Sequence, residues 1–215
     1  MDEFNCLRNI HAKLATPKLF ENMIFRVAKP IIVAGTSKFQ IGAIPNHRAQ
    51  EHLFTLKSVI QLYSHLGISL ILQLFDIRAY FDKENLRDAL SSLYSSGIKG
   101  NLYKLFYEIN KDTQIRVKTT SGVSNLAVTG ENVTQGSISG ALISSNNLDR
   151  GINAHFKGSE DEVAYSDLRL QPLLFQDDLG RLSTSRDSAQ AGNIKIEACF
   201  DTNCLMLILT KQCTF

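Results

Sequence analysis

The chain has 215 residues, 44% hydrophobic and 20% charged, with a formal net charge of +2. These values exclude a disordered polypeptide and allow one large domain or two intimately packed subdomains. They also exclude a broadly polybasic surface, so a nucleic acid would have to be held by a local basic track or by parts outside this chain.

In chain order, residues 48 to 66 place Leu53, Leu56, Ile60 and Tyr63 on one helical face, which predicts an amphipathic helix ending at Gly67. ISLILQLFD then predicts a near-continuous apolar strand that ends on the carboxylate of Asp76. The next helix is predicted to start at Asp82 as N-cap, bury Leu86, Leu90 and Leu93, and end near Gly97. NLYKLFYEI predicts a further helix; QIRVKTT, with Ile115 and Val117 on one face, and GVSNLAVT predict a hairpin through Ser121-Gly122.

A helix after Gln135-Gly136 presents Ile138, Leu142 and Leu148, and the polar stretch HFKGSEDEVAYSD reads as a surface loop. QPLLF and LGRLST are strand-like and flank the tight turn that carries Asp177 and Asp178. DSAQAGNIKIEACF is helix-like, and CLMLILT reads as a buried strand. Mixed helices and hairpin-like strands predict an α+β fold, without internal repeats or low-complexity segments. ISLILQLF is far too short to span a bilayer, and the N-terminus shows no leader pattern. Cys6, Cys199, Cys204 and Cys213 have no paired spacing and read as thiols of a reducing compartment, the nucleus or cytoplasm. His47 and His52 are five apart, off a common helical face, and receive no metal.

Adjacent carboxylates at a tight turn repel each other unless a cation lies between them, although Asp-Asp also suits a plain solvated turn. Together with Asp76 at a strand end, the Asp177-Asp178 pair is a reasonable way to hold two hard divalent cations through oxygen ligands. Two such cations can clamp the attacking and leaving oxygens of a phosphoryl transfer.

Four segments, FQIGAIPNHRAQEHLFTLKSVI, DIRAYFDKENL, NVTQGSISGALIS and LLFQDDL, followed by CLMLILTK, stand in an order that resembles the reverse transcriptase domain of a non-LTR, LINE-like retrotransposon. The resemblance runs from roughly Arg8 to Lys211. It implies a palm-and-fingers arrangement with an antiparallel palm sheet packed on helices. Residues 1–70 would be fingers and 71–215 mainly palm, with a fingers-like insertion near 83–130 and the thumb absent after Phe215. It further implies an RNA-directed DNA polymerase core that adds deoxynucleoside triphosphates to a DNA primer on an RNA template, without a membrane partner. The expected cofactors are two Mg²⁺, or Mn²⁺, held by Asp76 and Asp177, with Asp178 contributing directly or from behind them.

By the same resemblance Phe81, five residues after Asp76, would exclude a 2′-hydroxyl by bulk, and would otherwise be a core phenylalanine. Gln135 and Gly136 would let the backbone approach template and nucleotide, or form an ordinary glycine turn; the usual Ser-Pro is replaced around Ser139-Gly140. Arg8, with Asn9 where proline is usual, and Arg48 would reach triphosphate oxygens or stand as solvated charges. Lys211 would protonate departing pyrophosphate, or be a surface lysine after an edge strand. An inactive remnant that binds nucleic acid is the alternative to a truncated enzyme; a viral RNA-directed RNA polymerase fits Phe81 and QIGAIPNHRA poorly.

Overall fold

The computed structural model describes residues 13–78, 80–111, 113–120, 122–128, 133, 136–157, 163–165, 168–202 and 206–215. Two long helices come first, α1 (Ala15–Gly35) and α2 (Ala49–His65). In α1 the three-and-four spacing of Glu21, Ile24, Ala28 and Ile32 forms the buried face. Leu19, Met23 and Val27 lie exposed opposite it, so the helix is apolar on both sides. The inner face of α2 is Leu56, Val59, Ile60 and Tyr63. Leu53, expected on that face, is 63% exposed: the helix is rotated so that His52, not Leu53, turns inward.

Strand β1 (Ile71–Arg78) leads into the short helix α3 (Tyr80–Lys83), followed by α4 (Leu86–Ser95) and α5 (Gly100–Asn110). One helix starting at Asp82 was expected; Asp82 instead lies inside α3, and the chain breaks at Glu84-Asn85. Asn85, with extended backbone, is the N-cap of α4, its side-chain oxygen accepting from Arg87 N–H at 2.8 Å. Leu86, Leu90 and Leu93 are buried as expected. The next segment is a doubled hairpin, β2 (Gln114–Ile115) pairing with β5 (Ala127–Val128) and β3 (Lys118–Thr119) with β4 (Gly122–Val123).

Helix α6 (Gly140–Phe156) precedes β6 (Val163–Tyr165) and β7 (Leu168–Leu170). The stretch expected to be a loop therefore contains the end of α6 and a strand, because Phe156 and Val163 are both buried. Strands β8 (Leu173–Phe175) and β9 (Asp178–Ser183), helix α7 (Arg186–Thr202) and strand β10 (Met206–Thr214) complete the chain.

The central sheet has the order β10-β1-β9-β8, antiparallel throughout. Alternation sorts its faces: Ile71, Gln73, Phe75 and Ile77 are buried, whereas Asp76 is exposed. Phe75, Ile77 and Leu179 pack onto Leu148 and Ile152 of α6 and Ile196 of α7. The opposite face is covered at its far end, where Leu72 and Leu182 meet Tyr63 of α2 and Val163 of β6. A second helical core joins α1, α4, α5 and α6 through Ile32, Leu90, Phe106 and Leu142. Against β10 the register slips once: Leu74 pairs with Lys211 but Phe75 pairs with Leu209, a β-bulge.

Candidate active site

The site begins with the parity of β1. Phe75 pairs with Leu179, and continuing that antiparallel register by one step sets Asp76 opposite Asp178, on the face turned away from α6 and α7. Both are exposed. The Asp178 carboxyl is raised above the ordinary aspartate range, first by partial burial and then by the charge of Asp76. Asp177, one residue earlier, is half-buried. Its charge reaches the buried Tyr80 hydroxyl, which burial, then Glu84, and then Asp177 hold well above its ordinary value. Asp76 and Asp177 were expected to be the principal pair; the pairing register brings Asp76 and Asp178 together, with Asp177 adjacent to Asp178 in the turn.

Among the described residues no three His, Cys, Asp or Glu side chains form a group that could hold a metal. The facing pair, all-oxygen and mutually repelling, has the donor chemistry that suits a hard divalent cation.

The acidic turn has an unusual backbone. Phe175 pairs with Asp178, leaving a two-residue turn in which Gln176 has φ 58°, a conformation ordinarily given to glycine. Gln40 holds this turn. Its Oε1 accepts from Gln176 N–H at 3.1 Å and Gly42 N–H at 2.8 Å, and its Nε2 donates to Gln176 C=O at 3.1 Å. Around it, Leu174 N–H donates to Phe39 C=O at 2.8 Å and Ile41 N–H donates to Leu174 C=O at 3.1 Å, a parallel bridge along the outer edge of β8. His52 Nε2 lies 3.0 Å from both Phe39 C=O and Leu174 C=O; two acceptors require that this nitrogen carry the hydrogen. At Gly42 a Cβ would fall 1.9 Å from Gln176 N, so only glycine lets the two backbones meet. Sequence reasoning gave Gln40, Gly42 and His52 no role. The available signal was the Gln-x-Gly string itself, an amide beside a residue suited to close approach.

Phe81 is the second residue of α3, half-buried and edge-on to Tyr80 with ring centroids 5.7 Å apart. Tyr80 is anchored by donating to Ser144 C=O at 2.8 Å and Glu84 Oε1 at 3.2 Å. Glu84 also accepts from Asn147 Nδ2 at 3.0 Å and from Ser144 Oγ. Burial pushes its carboxyl up to about 7 despite these bonds. Gly136 is exposed with φ 93°, so the turn before α6 needs a glycine for its backbone alone. Three residues on, Ser139 donates to Glu21 Oε1 from its N–H at 3.0 Å and its Oγ at 2.7 Å, and Lys13 reaches Glu21 Oε2 at 2.8 Å. Burial would raise the Glu21 carboxyl, but the bonds from Lys13 and Ser139 outweigh it and hold it below its ordinary value. Glu21 thus ties the start of α6 to α1, a contact sequence reasoning missed.

Arg48 is exposed at the start of α2, its N–H donating to Glu51 Oε1 at 2.9 Å; no described hydrogen bond or ion pair links it to the carboxylates. Arg8 and Gln135 lie outside the described residues. Lys211 lies within β10 rather than after it, opposite Leu74; its side chain is outside the described residues. Among the described residues, no helix is long and apolar enough to cross a membrane.

No protein-family model matches the chain, and no curated protein matches it. Solved structures do. Apo telomerase from Candida tropicalis superposes with a TM-score of 0.69 at 12% identity, covering 91% of this chain and 36% of that one. Telomerase from Candida albicans, in complex with a TWJ fragment of telomeric RNA, superposes with a TM-score of 0.60 at 10% identity, covering 93% of this chain and 33% of that one. The chain therefore has a reverse-transcriptase-like fold and spans about a third of the length of those structures.

Proposed function

We propose that the chain is the core of an RNA-directed DNA polymerase from a non-LTR retrotransposon, adding deoxynucleotides to a primer 3′-hydroxyl. The observation that carries this reading is Asp76 opposite Asp178 on the face of an antiparallel sheet turned away from α6 and α7, with Asp177 beside Asp178 at the turn. Mg²⁺ or Mn²⁺ bound by these carboxylates would supply Lewis acidity at the hydroxyl and the transferred phosphoryl group. The chain's own residues do the rest. Asp76, Asp178 and Asp177 present oxygen ligands, and Phe81 stands after β1 where bulk can reject a 2′-hydroxyl. The template-side role falls to Gln135 and Gly136, and Lys211 delivers a proton to departing pyrophosphate. Arg8 and Arg48 contact triphosphate oxygens. In this reading the sheet with α6 and α7 is the palm, and α1, α2 and the segment near Gln40 belong to the fingers.

Primer extension on an RNA template, with deoxy- or ribonucleotides, tests the reading. Extension with deoxynucleotides that is lost in Asp76→Asn is the expected result. No extension, with retained nucleic-acid binding, would make the chain a binding remnant; extension by ribonucleotides alone would make it an RNA polymerase.

A further inference from the structure

We propose that Gln40 is a positioning residue of the polymerase site, setting the direction of the Asp177 and Asp178 carboxylates through the backbone of Gln176. The inference rests on the polymerase reading given above. Gln40 lies in the segment before α2, far along the chain from the turn, and is 1% exposed. Its amide contacts both backbone groups of Gln176, accepting from the N–H at 3.1 Å and donating to the C=O at 3.1 Å, so the peptide planes on both sides of that residue are constrained. The same amide accepts from Gly42 N–H at 2.8 Å and lies 3.5 Å from Ser145 C=O of α6. Four polar partners around one buried amide leave it a single orientation.

Gln176 needs such support. Its φ of 58° is unfavourable for a residue with a Cβ, and the two acidic residues immediately follow it. A rotation of that peptide would swing both carboxylates relative to Asp76, which is fixed in β1 between β9 and β10. Gly42 and His52 seat the segment, and Gln40 makes the contact with the turn itself.

The test uses Gln40→Met, which keeps length and apolar volume but loses the amide, alongside Leu90→Ala, which weakens the distant helical core without touching the turn. Mn²⁺ binding by electron paramagnetic resonance and primer-extension kinetics are measured at a temperature where each variant is folded by circular dichroism. In Gln40→Met, Mn²⁺ affinity should fall about tenfold and kcat on the order of 100-fold, as for an ångström-scale misplacement, with KM for the deoxynucleotide little changed. Leu90→Ala should keep the parent's Mn²⁺ affinity. Should Gln40→Met fail to fold, Gly42→Ala, whose methyl must displace the turn, is expected to show the same losses.

Parental Mn²⁺ affinity and kcat in a folded Gln40→Met or Gly42→Ala would overturn the role of Gln40 and leave the polymerase reading standing. Equal losses in Leu90→Ala would also overturn it, as a consequence of general destabilisation. A parent chain that neither binds Mn²⁺ nor extends a primer would defeat the polymerase reading, and this inference with it.

Discussion

Glu84 shows how one residue can couple the segment after β1 to pH. Its carboxyl is buried between α3 and α6 with Tyr80, Ser144 and Asn147 as partners, and burial raises it from 4.5 to about 7. Between those values the folded chain holds a proton that the unfolded chain has released. Stability is therefore fully present below about pH 4.5 and falls as pH rises to about 7, by on the order of 3 kcal/mol. Glu84→Gln should remove that slope, so that denaturant unfolding at pH 5 and pH 8 gives nearly equal stabilities for this group. A parent chain with the same slope as the variant would contradict the assignment. At Gln176 the side chain takes no part in the described contacts to Gln40, which use the backbone. Gln176→Gly should then be neutral or stabilising and Gln176→Val destabilising by about 1–3 kcal/mol, measured by thermal melting. From sequence, the placement of Asp76 toward a strand end and of Asp177 and Asp178 at a turn was legible. Which two face each other was not, since that depends on a pairing register between strands far apart in the chain. Gln40 was illegible for the same reason: its partners are backbone groups that only the fold brings near.

At the scale of elements, strand β1 and the LLFQDDL hairpin were readable because a short apolar run ending in a charged residue has few alternatives. Helix α1 was not anticipated; its apolar residues surround it, with Leu19, Met23 and Val27 outward, and Pro30 lies inside it, so neither period nor breaker marks it. The rotation of α2 has a similar origin. Leu53 fits the apolar stripe by spacing, but the inward position is taken by His52, whose ring donates to Phe39 and Leu174. The displaced cap of α4 is a case of two suitable residues, Asp82 and Asn85, three positions apart, with the burial of Glu84 placing the break at the second. Asn85→Ala should cost about 1 kcal/mol in unfolding free energy. On the inward side of the sheet, Arg181 donates to Gln73 Oε1 at 3.1 Å and lies against Gly192 of α7, where a Cβ would fall 2.0 Å from the guanidinium carbon. Gly192→Ala should destabilise by about 1–3 kcal/mol through overcrowding, and a melting temperature equal to the parent's would show that Arg181 can withdraw.

Across the whole molecule, a sheet packed on two helices and a separate helical core share α6, which carries Leu142 in one and Leu148 in the other. The start of this shared helix is fixed by Glu21, and its middle by Tyr80 and Glu84. The α+β class was legible because hairpin-like strands stood in succession among the helices; the sharing of α6 was not, since Ser144, Ser145, Asn146 and Asp149 are buried in it and obscure any apolar stripe. The net charge is only +2, since 21 acidic residues nearly balance 23 basic ones, so the chain as a whole offers little excess charge to neutralise phosphates. Binding to a primer-template duplex should therefore weaken only gently between 50 and 200 mM salt, less than the roughly 10³–10⁵-fold expected of a protein making 6–10 phosphate contacts. A steep slope in a salt titration would reveal a concentrated basic track.

The bulge opposite Leu74 bears on how chains of different length could share this strand. Because one residue between Leu209 and Lys211 has no partner on β1, losing it would regularise the ladder and still leave the lysine opposite Leu74. A deletion of one residue between Ile71 and Asp76 would have the opposite outcome: parity would invert, and the carboxylate would be turned toward Ile196 and the helices. Alignment gaps among distant kin of this chain are thus expected to be tolerated just before the lysine and absent just before the aspartate.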